Sequence, residues 1–538
     1  MAAADMPAAE IAVAETSGPI LIGVDAGTSV IKAVAFTPDG LPVAVTSVPN
    51  CWQKSAGGAA EQDLAATWAA TARTLRAMAD RVPDLSRRLA GIAVTGQGDG
   101  TWLVDAAGEP VGPAMLWLDA RAGRIAGELR RGPADAARFA ATGTGLAACQ
   151  QGPQLAWLGR HQPERLAAAA TAFHCKDWLY LRLTGRRATD PSEATLSFGD
   201  FRTRAYSATV LDALGLAPQR RLLPGIVDGT IEHAGLSADA ARATGLPAGT
   251  PVVLGYIDIV CSALGAGLYD PDEGVGTSIV GSTGMHMRRV DGADRVALSS
   301  DRTGYTIAFP VPGTYAQMQS NLAATLNIDW VLDLIGGVLA AEGIRRDRAD
   351  LLAGIDRLLE TTAPGTLLFH PYIADGGERG PFVDVGASAA FFGLSVRHGH
   401  ADLVRAVFEG LAFAARDCYA AMGPLPREVR MSGGAARSRV LRGMLAAALD
   451  APVRVSTRAE AGAAGAAMIA AVCLGIHRDM EECAARWVRP HLGPPLAPDA
   501  GLVAAYRRLF PAYQEARRAM PPVWRRLATA EAERGGHA

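Results

Sequence analysis

The sequence predicts an α/β protein of two similar domains that share a cleft. Three observations carry this. Two Gly-bearing, strand-like entries, Leu21–Phe36 (LIGVDAGTSVIKAVAF) and Gly274–Val290 (GVGTSIVGSTGMHMRRV), each read as strand, small-residue turn, strand. Strand-like and helical patterns alternate along the chain, as they do in α/β folds. The length of 538 residues exceeds one ordinary domain.

Taken in order, residues 1–18 are Ala-rich and acidic, without the basic and apolar regions of a signal peptide, and are expected as a disordered tail. A first domain over 19–270 opens on the Leu21–Phe36 hairpin. It continues with a helical pattern at Asp63–Ala79 and strand-like runs at Leu89–Gly96 and Pro251–Tyr256. The acidic, Gly-bearing segment Asp270–Gly276 marks the boundary. A second domain over 271–487 opens on the other hairpin and carries helical patterns at Asp402–Met422 and Val440–Asp450. Between these helices, the run Arg427–Met431 leads into the turn Met431–Ser438 (MSGGAARS). The longest apolar run, Ala461–Ile476, is Ala/Gly-rich and short for a bilayer span, so a buried helix is expected. Residues 488–538 start Pro-rich, become helical and Arg-rich, and read as a peripheral helical tail.

Composition excludes several classes. Hydrophobic residues at 49% allow a sizeable core and exclude a wholly disordered chain. The net charge of −2 offers no basic surplus for nucleic acid or an acidic membrane. Seven scattered cysteines without a C-x-x-C argue against a disulfide framework or a structural zinc site and fit a reducing cytoplasm. Of only three lysines, Lys32, Lys54 and Lys176, none follows a glycine, which excludes a Walker P-loop. No G-x-G-x-x-G dinucleotide fingerprint is present either. His398 and His400 have no further ligand types nearby and read as a surface loop.

The chemistry-bearing residues sit at strand ends. Asp25 closes an apolar strand, and Gly27, Thr28 and Ser29 supply a turn whose N–H groups and hydroxyls suit phosphate oxygens. Asp25 itself suits a hydrated magnesium ion, which takes few carboxylates, and an Asx-turn in an ordinary hairpin is the alternative. Lys32 adds a cation three residues beyond the turn. Gly281, Ser282 and Thr283 repeat this chemistry in the second hairpin. Gly433, Gly434 and Ala435 follow a strand, where glycine would let a flat base lie on backbone; a plain loop is the alternative. Asp258, a lone carboxylate after an apolar strand, is either a general base or a helix N-cap. Gln97, Gly98 and Asp99 end another strand with Trp102 close behind, a set suited to a polyhydroxylated ligand. Trp117–Arg121 offers a similar set, and one of the two tryptophans is expected in the core.

The order of Asp25–Ser29, Thr95–Asp99, Leu116–Arg121, Gly255–Gly267, Gly281–Gly284 and Ser432–Ser438 resembles the FGGY carbohydrate kinases, over about residues 20–480. The resemblance implies two RNase H-like domains of the actin/hexokinase/Hsp70 ATPase type with a central nucleotide cleft, and ATP-dependent phosphorylation of a sugar or polyol hydroxyl. It implies Asp258 as catalytic base, with Asp25, Gly27, Thr28 and Ser29 as the first phosphate motif and Asp25 near magnesium. Gly281, Ser282 and Thr283 match the second phosphate motif. Gly433, Gly434, Ala435 and Ser438 match the adenosine motif, and Gln97, Gly98 and Asp99 the substrate contacts. Glycerol kinases of the family carry Gln-Arg-Glu at 97–99 and xylulokinases Gln-Met-His, so both substrates are disfavoured here. Ile259, where glycerol kinases carry Gln, departs from them again. The wording of Gly281–Met287 (GSTGMHM), Cys175–Gly185 (CKDWLYLRLTG) and Gly255–Gly267 is most similar to the family's erythritol kinases. The L-xylulose/keto-gulonate kinase branch, which places lysine where this chain has Asp99, comes next. A carboxylate at that point favours a neutral polyol over an acid sugar. The expected partners are thus ATP, magnesium and a small polyol or sugar, with no nucleic acid and no membrane; the sequence leaves a homo-oligomer open.

Overall fold

Apolar residues with few polar interruptions run from Ile20 to Phe36, and the Gly-Thr-Ser break lets the chain reverse. The result is β1 (Ile20–Ala26) antiparallel to β2 (Val30–Phe36), with Asp25 opposite Lys32. The computed structural model describes residues 17–271 and 274–535. The tail expected over 1–18 therefore lies almost wholly outside the described residues, as do Asp272 and Glu273 in the expected boundary.

β3 (Pro42–Pro49) extends the hairpin on its outer side. On the inner side β4 (Leu89–Gly96) lies parallel to β1, and after β5 (Ala234–Gly235) the strand β6 (Pro251–Leu254) lies parallel to β4. The order is β5-β6-β4-β1-β2-β3. β4 and β6 are buried over most of their length, so they read as apolar runs without alternation.

The second sheet repeats this plan. β7 (Val275–Val280) and β8 (Gly284–Asp291) form its hairpin. β9 (Tyr305–Ala308) and β10 (Thr314–Asn321) add antiparallel strands outside it. β11 (Glu428–Ser432) and β12 (Val453–Val455) add parallel strands on the other side, giving β9-β10-β8-β7-β11-β12. The series β3-β2-β1-β4-β6 and β10-β8-β7-β11-β12 share one connectivity, the duplication that the two hairpins predict.

Helices cover both sheets. α1 (Leu64–Arg81) and α2 (Cys175–Thr184) pack on one face of the first sheet, and α3 (Pro191–Phe198) and α4 (Asp258–Ala266) follow. α5 (Thr325–Ala341), α6 (His400–Ala420) and α7 (Arg439–Leu449) form the core of the second domain. The Ala/Gly-rich run becomes α8 (Ala461–Cys473), buried as expected. It returns to the first sheet and crosses α4, in a cluster that also takes in side chains of β8, β9 and β10. Gly265 and Gly465 allow this crossing. A Cβ on the first would lie 2.1 Å from the Ala461 carbonyl oxygen, and on the second 1.9 Å from that of Cys261.

The C-terminal segment is helical, but its first helix is not peripheral. α9 (Ala500–Ala519) buries Tyr506, Phe510 and Tyr513 in the second core, and the Tyr506 hydroxyl donates to Glu409 Oε1 at 3.0 Å. α10 (Pro521–Gly535) buries Trp524 against Phe382, rings stacked at 5.8 Å. Sparse, widely spaced aromatics among arginines hid this face from a composition reading.

Candidate active site

Parallel strands end at the same edge of a sheet, and that edge collects ligands in α/β folds. Here β1, β4 and β6 bring Asp25, Gln97–Asp99 and Asp258 to one place. Gln97 N–H donates to the Ala26 carbonyl at 3.0 Å, which locks the ends of β1 and β4 together.

Asp258 is the first residue of α4, and its Oδ1 accepts from the Ile259 amide at 2.7 Å. Burial pushes its carboxyl up to about 7, with the Asp25 charge adding to this and Asp99 after it; the Ile259 and Gly98 amides oppose. Asp25 is itself raised to about 6 by burial, against the pull of Lys32. Lys32 does not stand free beside the turn: its ammonium pairs with Glu460 Oε2 at 3.0 Å.

The first turn is held from several sides. Asn50 Nδ2 donates to the Gly27 carbonyl at 2.8 Å, and the Thr28 hydroxyl donates to Gln97 Oε1 at 2.9 Å. Ser29 is exposed. In the second turn the Ala324 and Thr325 amides, at the start of α5, donate to the carbonyls of Ser282 and Gly281 at 2.7 and 3.0 Å. Ser282 is exposed, and Gly281 and Thr283 are half-buried.

Gly433 takes φ +90° after β11, and a Cβ there would lie 2.5 Å from the Val280 carbonyl oxygen, so only glycine fits. Beyond it a groove of about 480 Å³ opens, lined by Ile328, Asp356, Phe408, Gly434, Ala435 and Ser438. The size suits a small-molecule site. Ser438 caps α7 and donates to Asp356 Oδ1 at 3.1 Å.

At the Gln97–Asp99 end, one expectation is corrected. Trp102 does not reach the cleft: its indole is fully buried among the core side chains of the first domain. The tryptophan with a free face is Trp117, 39% exposed, whose Nε1 donates to the Thr28 hydroxyl at 2.9 Å. Both sit in apolar-aromatic runs, so sequence could not choose between them. Gln97 is held at both ends of its amide. Its Oε1 holds Thr28, and its Nε2 donates to Gln62 Oε1 at 2.7 Å, so it ties the first turn to the strand end. Gly98 presents its amide to Asp258. Asp99 has a left-handed backbone, φ +54°, that an Asp tolerates at some cost, and its Oδ2 accepts from the Cys149 thiol at 3.3 Å. Burial raises its carboxyl. Sequence missed the groups around it, Cys149, Tyr305 and Arg379, which come from distant segments.

A buried base predicts a pH profile. A raised carboxyl is protonated below its own value and cannot accept a proton there. The kcat/KM for a hydroxyl acceptor is expected to rise with pH and level off above about 7, falling about tenfold per pH unit on the acid side. Initial rates of ADP release across neutral pH check this; a flat profile there would remove Asp258 as the titrating base.

Comparison with known proteins follows the same lines. The family model described as the FGGY family of carbohydrate kinases, N-terminal domain, matches residues 20–265, and the corresponding C-terminal domain matches 276–474. A protein of Brucella abortus named erythritol kinase is 53% identical, over 95% of this chain and 98% of its own. The xylulose kinase of Escherichia coli K12 is 30% identical, over 90% of this chain and 96% of its own. A crystal structure of a xylulose kinase from Rhodospirillum rubrum superposes with a TM-score of 0.84 at 29% identity, covering 94% of this chain and all of that one.

Proposed function

The chain belongs to the FGGY family of carbohydrate kinases, and from that premise we propose that it transfers the γ-phosphoryl group of ATP to a primary hydroxyl of a small neutral polyol, erythritol. The observation that carries this is one carboxyl, Asp258, lying between a turn suited to phosphate and a carboxylate suited to hydroxyls, and close enough to Asp25 and Asp99 to feel both charges.

In this reading Asp258 accepts the proton of the primary hydroxyl as that oxygen attacks phosphorus. Its raised affinity for a proton makes it a competent base near neutral pH. The backbone amides of Gly27–Ser29 and Gly281–Thr283, with the hydroxyls of Ser29, Ser282 and Thr283, hold phosphate oxygens, while the Thr28 hydroxyl stays on Gln97. The groove beside Gly433, Gly434, Ala435 and Ser438 takes the adenosine. Asp99 accepts from polyol hydroxyls, and the Trp117 face packs on C–H groups. Asp25 fits a hydrated magnesium ion, which takes few carboxylates: among the described residues no group of three or more histidines, cysteines or carboxylates forms a cage. Bound there, the ion would neutralise phosphate charge. Closure of the domains excludes water, which competes as acceptor. No described helix is long and apolar enough to cross a membrane, and the cytoplasm, where ATP is supplied, is the compartment this reading requires.

Erythritol is favoured by the 53% relationship to the Brucella abortus protein and by Asp99, whose charge repels an acid sugar. The test is ADP release with magnesium-ATP and erythritol, glycerol, L-xylulose, D-xylulose, D-ribulose or no acceptor. A strong preference for erythritol is the expected result. A ketopentose preference would overturn the substrate and the reading of Asp99 while keeping the reaction. Turnover without any acceptor dependence would overturn the kinase reading.

A further inference from the structure

Around Asp99 the fold buries polar atoms that the chain leaves without hydrogen-bond partners. They are Asp99 Oδ1, His174 Nε2, both Glu193 carboxyl oxygens, Gln319 Oε1 and Arg379 Nε, all fully inaccessible. Such atoms are costly if left unpaired, and native proteins leave few of them. A group gathered in one place therefore points to a ligand that pairs them.

The atoms do gather. Glu193 Oε1 lies 3.3 Å from where a Cβ on Gly98 would stand, so it faces the backbone just before Asp99. Glu193 Oε2 lies 3.5 Å from His174 Nε2. The same Gly98 position is walled by Ile257, the neighbour of Asp258. The Ile257 amide donates to Ser192 Oγ at 3.0 Å, which ties the start of α3, and with it Glu193, to the chain that carries Asp258.

A buried charge network holds this pair in place. Lys176 lies 2.6 Å from both Asp177 Oδ1 and Asp190 Oδ1, all three side chains fully buried. Asp177 Oδ2 lies 3.3 Å from His174 Nδ1, and Asp190 caps α3 by accepting from the Ser192 amide at 2.7 Å. The two ring nitrogens of His174 thus face opposite ways, Nδ1 to Asp177 and Nε2 to Glu193. Burial raises the Glu193 carboxyl well above the usual range. A carboxyl and an imidazole are groups that can both donate and accept hydrogen bonds. That set matches neighbouring hydroxyls, each of which also donates and accepts.

We infer that Glu193 and His174 bind the polyol hydroxyls remote from the one phosphorylated, with Lys176, Asp177 and Asp190 as positioning residues. The inference rests on the reading of this cleft as the polyol site. Its test is steady-state kinetics with erythritol and magnesium-ATP varied separately, for wild type, Glu193→Gln, Glu193→Asp, Glu193→Leu and His174→Phe. Glu193→Leu and His174→Phe are expected to raise the KM for erythritol about tenfold, the scale of one lost hydrogen bond, with the KM for ATP unchanged. Glu193→Gln keeps a donor and an acceptor and stays near wild type, whereas Glu193→Asp, one methylene short, does not. Butane-1,2,4-triol, which lacks one inner hydroxyl, supplies a readout that a merely structural role would not move. Wild type discriminates against it, and Glu193→Leu does not. If the Leu and Phe variants fail to fold, the contrast between Gln and Asp carries the test. An unchanged KM for erythritol in the folded variants, or discrimination that survives them, overturns the inference. Failure of wild type to phosphorylate any polyol would instead remove the reading of the cleft.

Discussion

Asp258→Asn is expected to lower kcat by about 10²–10⁴-fold, the range for a lost general base, while ATP still binds. The amide is isosteric and keeps an acceptor for the Ile259 amide, so α4 keeps its start. What it loses is the capacity to take the hydroxyl proton. The variant also removes one of three carboxyls that burial pushes upward, Asp25, Asp99 and Asp258, the last of them raised further by the charges of the other two. Its thermal stability is therefore expected to equal or exceed that of wild type, as at sites where function is held at the expense of stability. ADP release with saturating polyol, calorimetric titration with ATP and a thermal melt separate the three effects. Activity equal to wild type would remove Asp258 from the chemistry.

The largest stability effect is expected at Lys176. Replacing it with Met leaves Asp177 and Asp190 without their shared cation in a fully buried site, a loss of about 3–5 kcal/mol for breaking a buried ion set. The pH dependence identifies the cause. Burial alone would raise Asp177, but Lys176 and His174 overcome it and hold the carboxyl at about 2. A depressed carboxyl stabilises the fold above its unfolded value of 3.8, and this contribution is lost as pH falls toward about 2. Wild type should lose that stability only in acid. In Lys176→Met the carboxyls rise instead, take up protons more readily folded than unfolded, and the deficit shrinks as pH falls. Urea unfolding at neutral and mildly acidic pH measures both trends. The triple change Lys176→Met, Asp177→Asn, Asp190→Asn should recover part of the loss at neutral pH, because it removes the unpaired charges as well as the lysine. A deficit independent of pH, or no recovery, would show that packing rather than charge is at stake.

The sequence determined what local backbone chemistry dictates. Each hairpin announced itself by apolar strands around a Gly-Ser/Thr turn, and the turns stand where those residues predicted, at Gly27–Ser29 and Gly281–Thr283. Asp258 at a helix start and Gly433 at a positive φ belong to the same class: residue type, neighbours and backbone geometry suffice to single them out. The duplicated connectivity of the two sheets followed from the repeat of one hairpin in two half-chains. Only the tertiary structure decided which side chains are buried in the core and which are left with a free face. Trp102 and Trp117 are alike in sequence, yet one fills the core and the other reaches Thr28, because burial depends on which strand lies across from each. The ties of Gln97 to Thr28 and Gln62, from other segments, exist only in the folded chain. His174, Glu193 and Arg379 carry no local signal at all. They meet Asp99 because α2, α3 and a loop of the second domain converge on one strand end, and a buried polar atom without a partner exists only once the chain has folded around it.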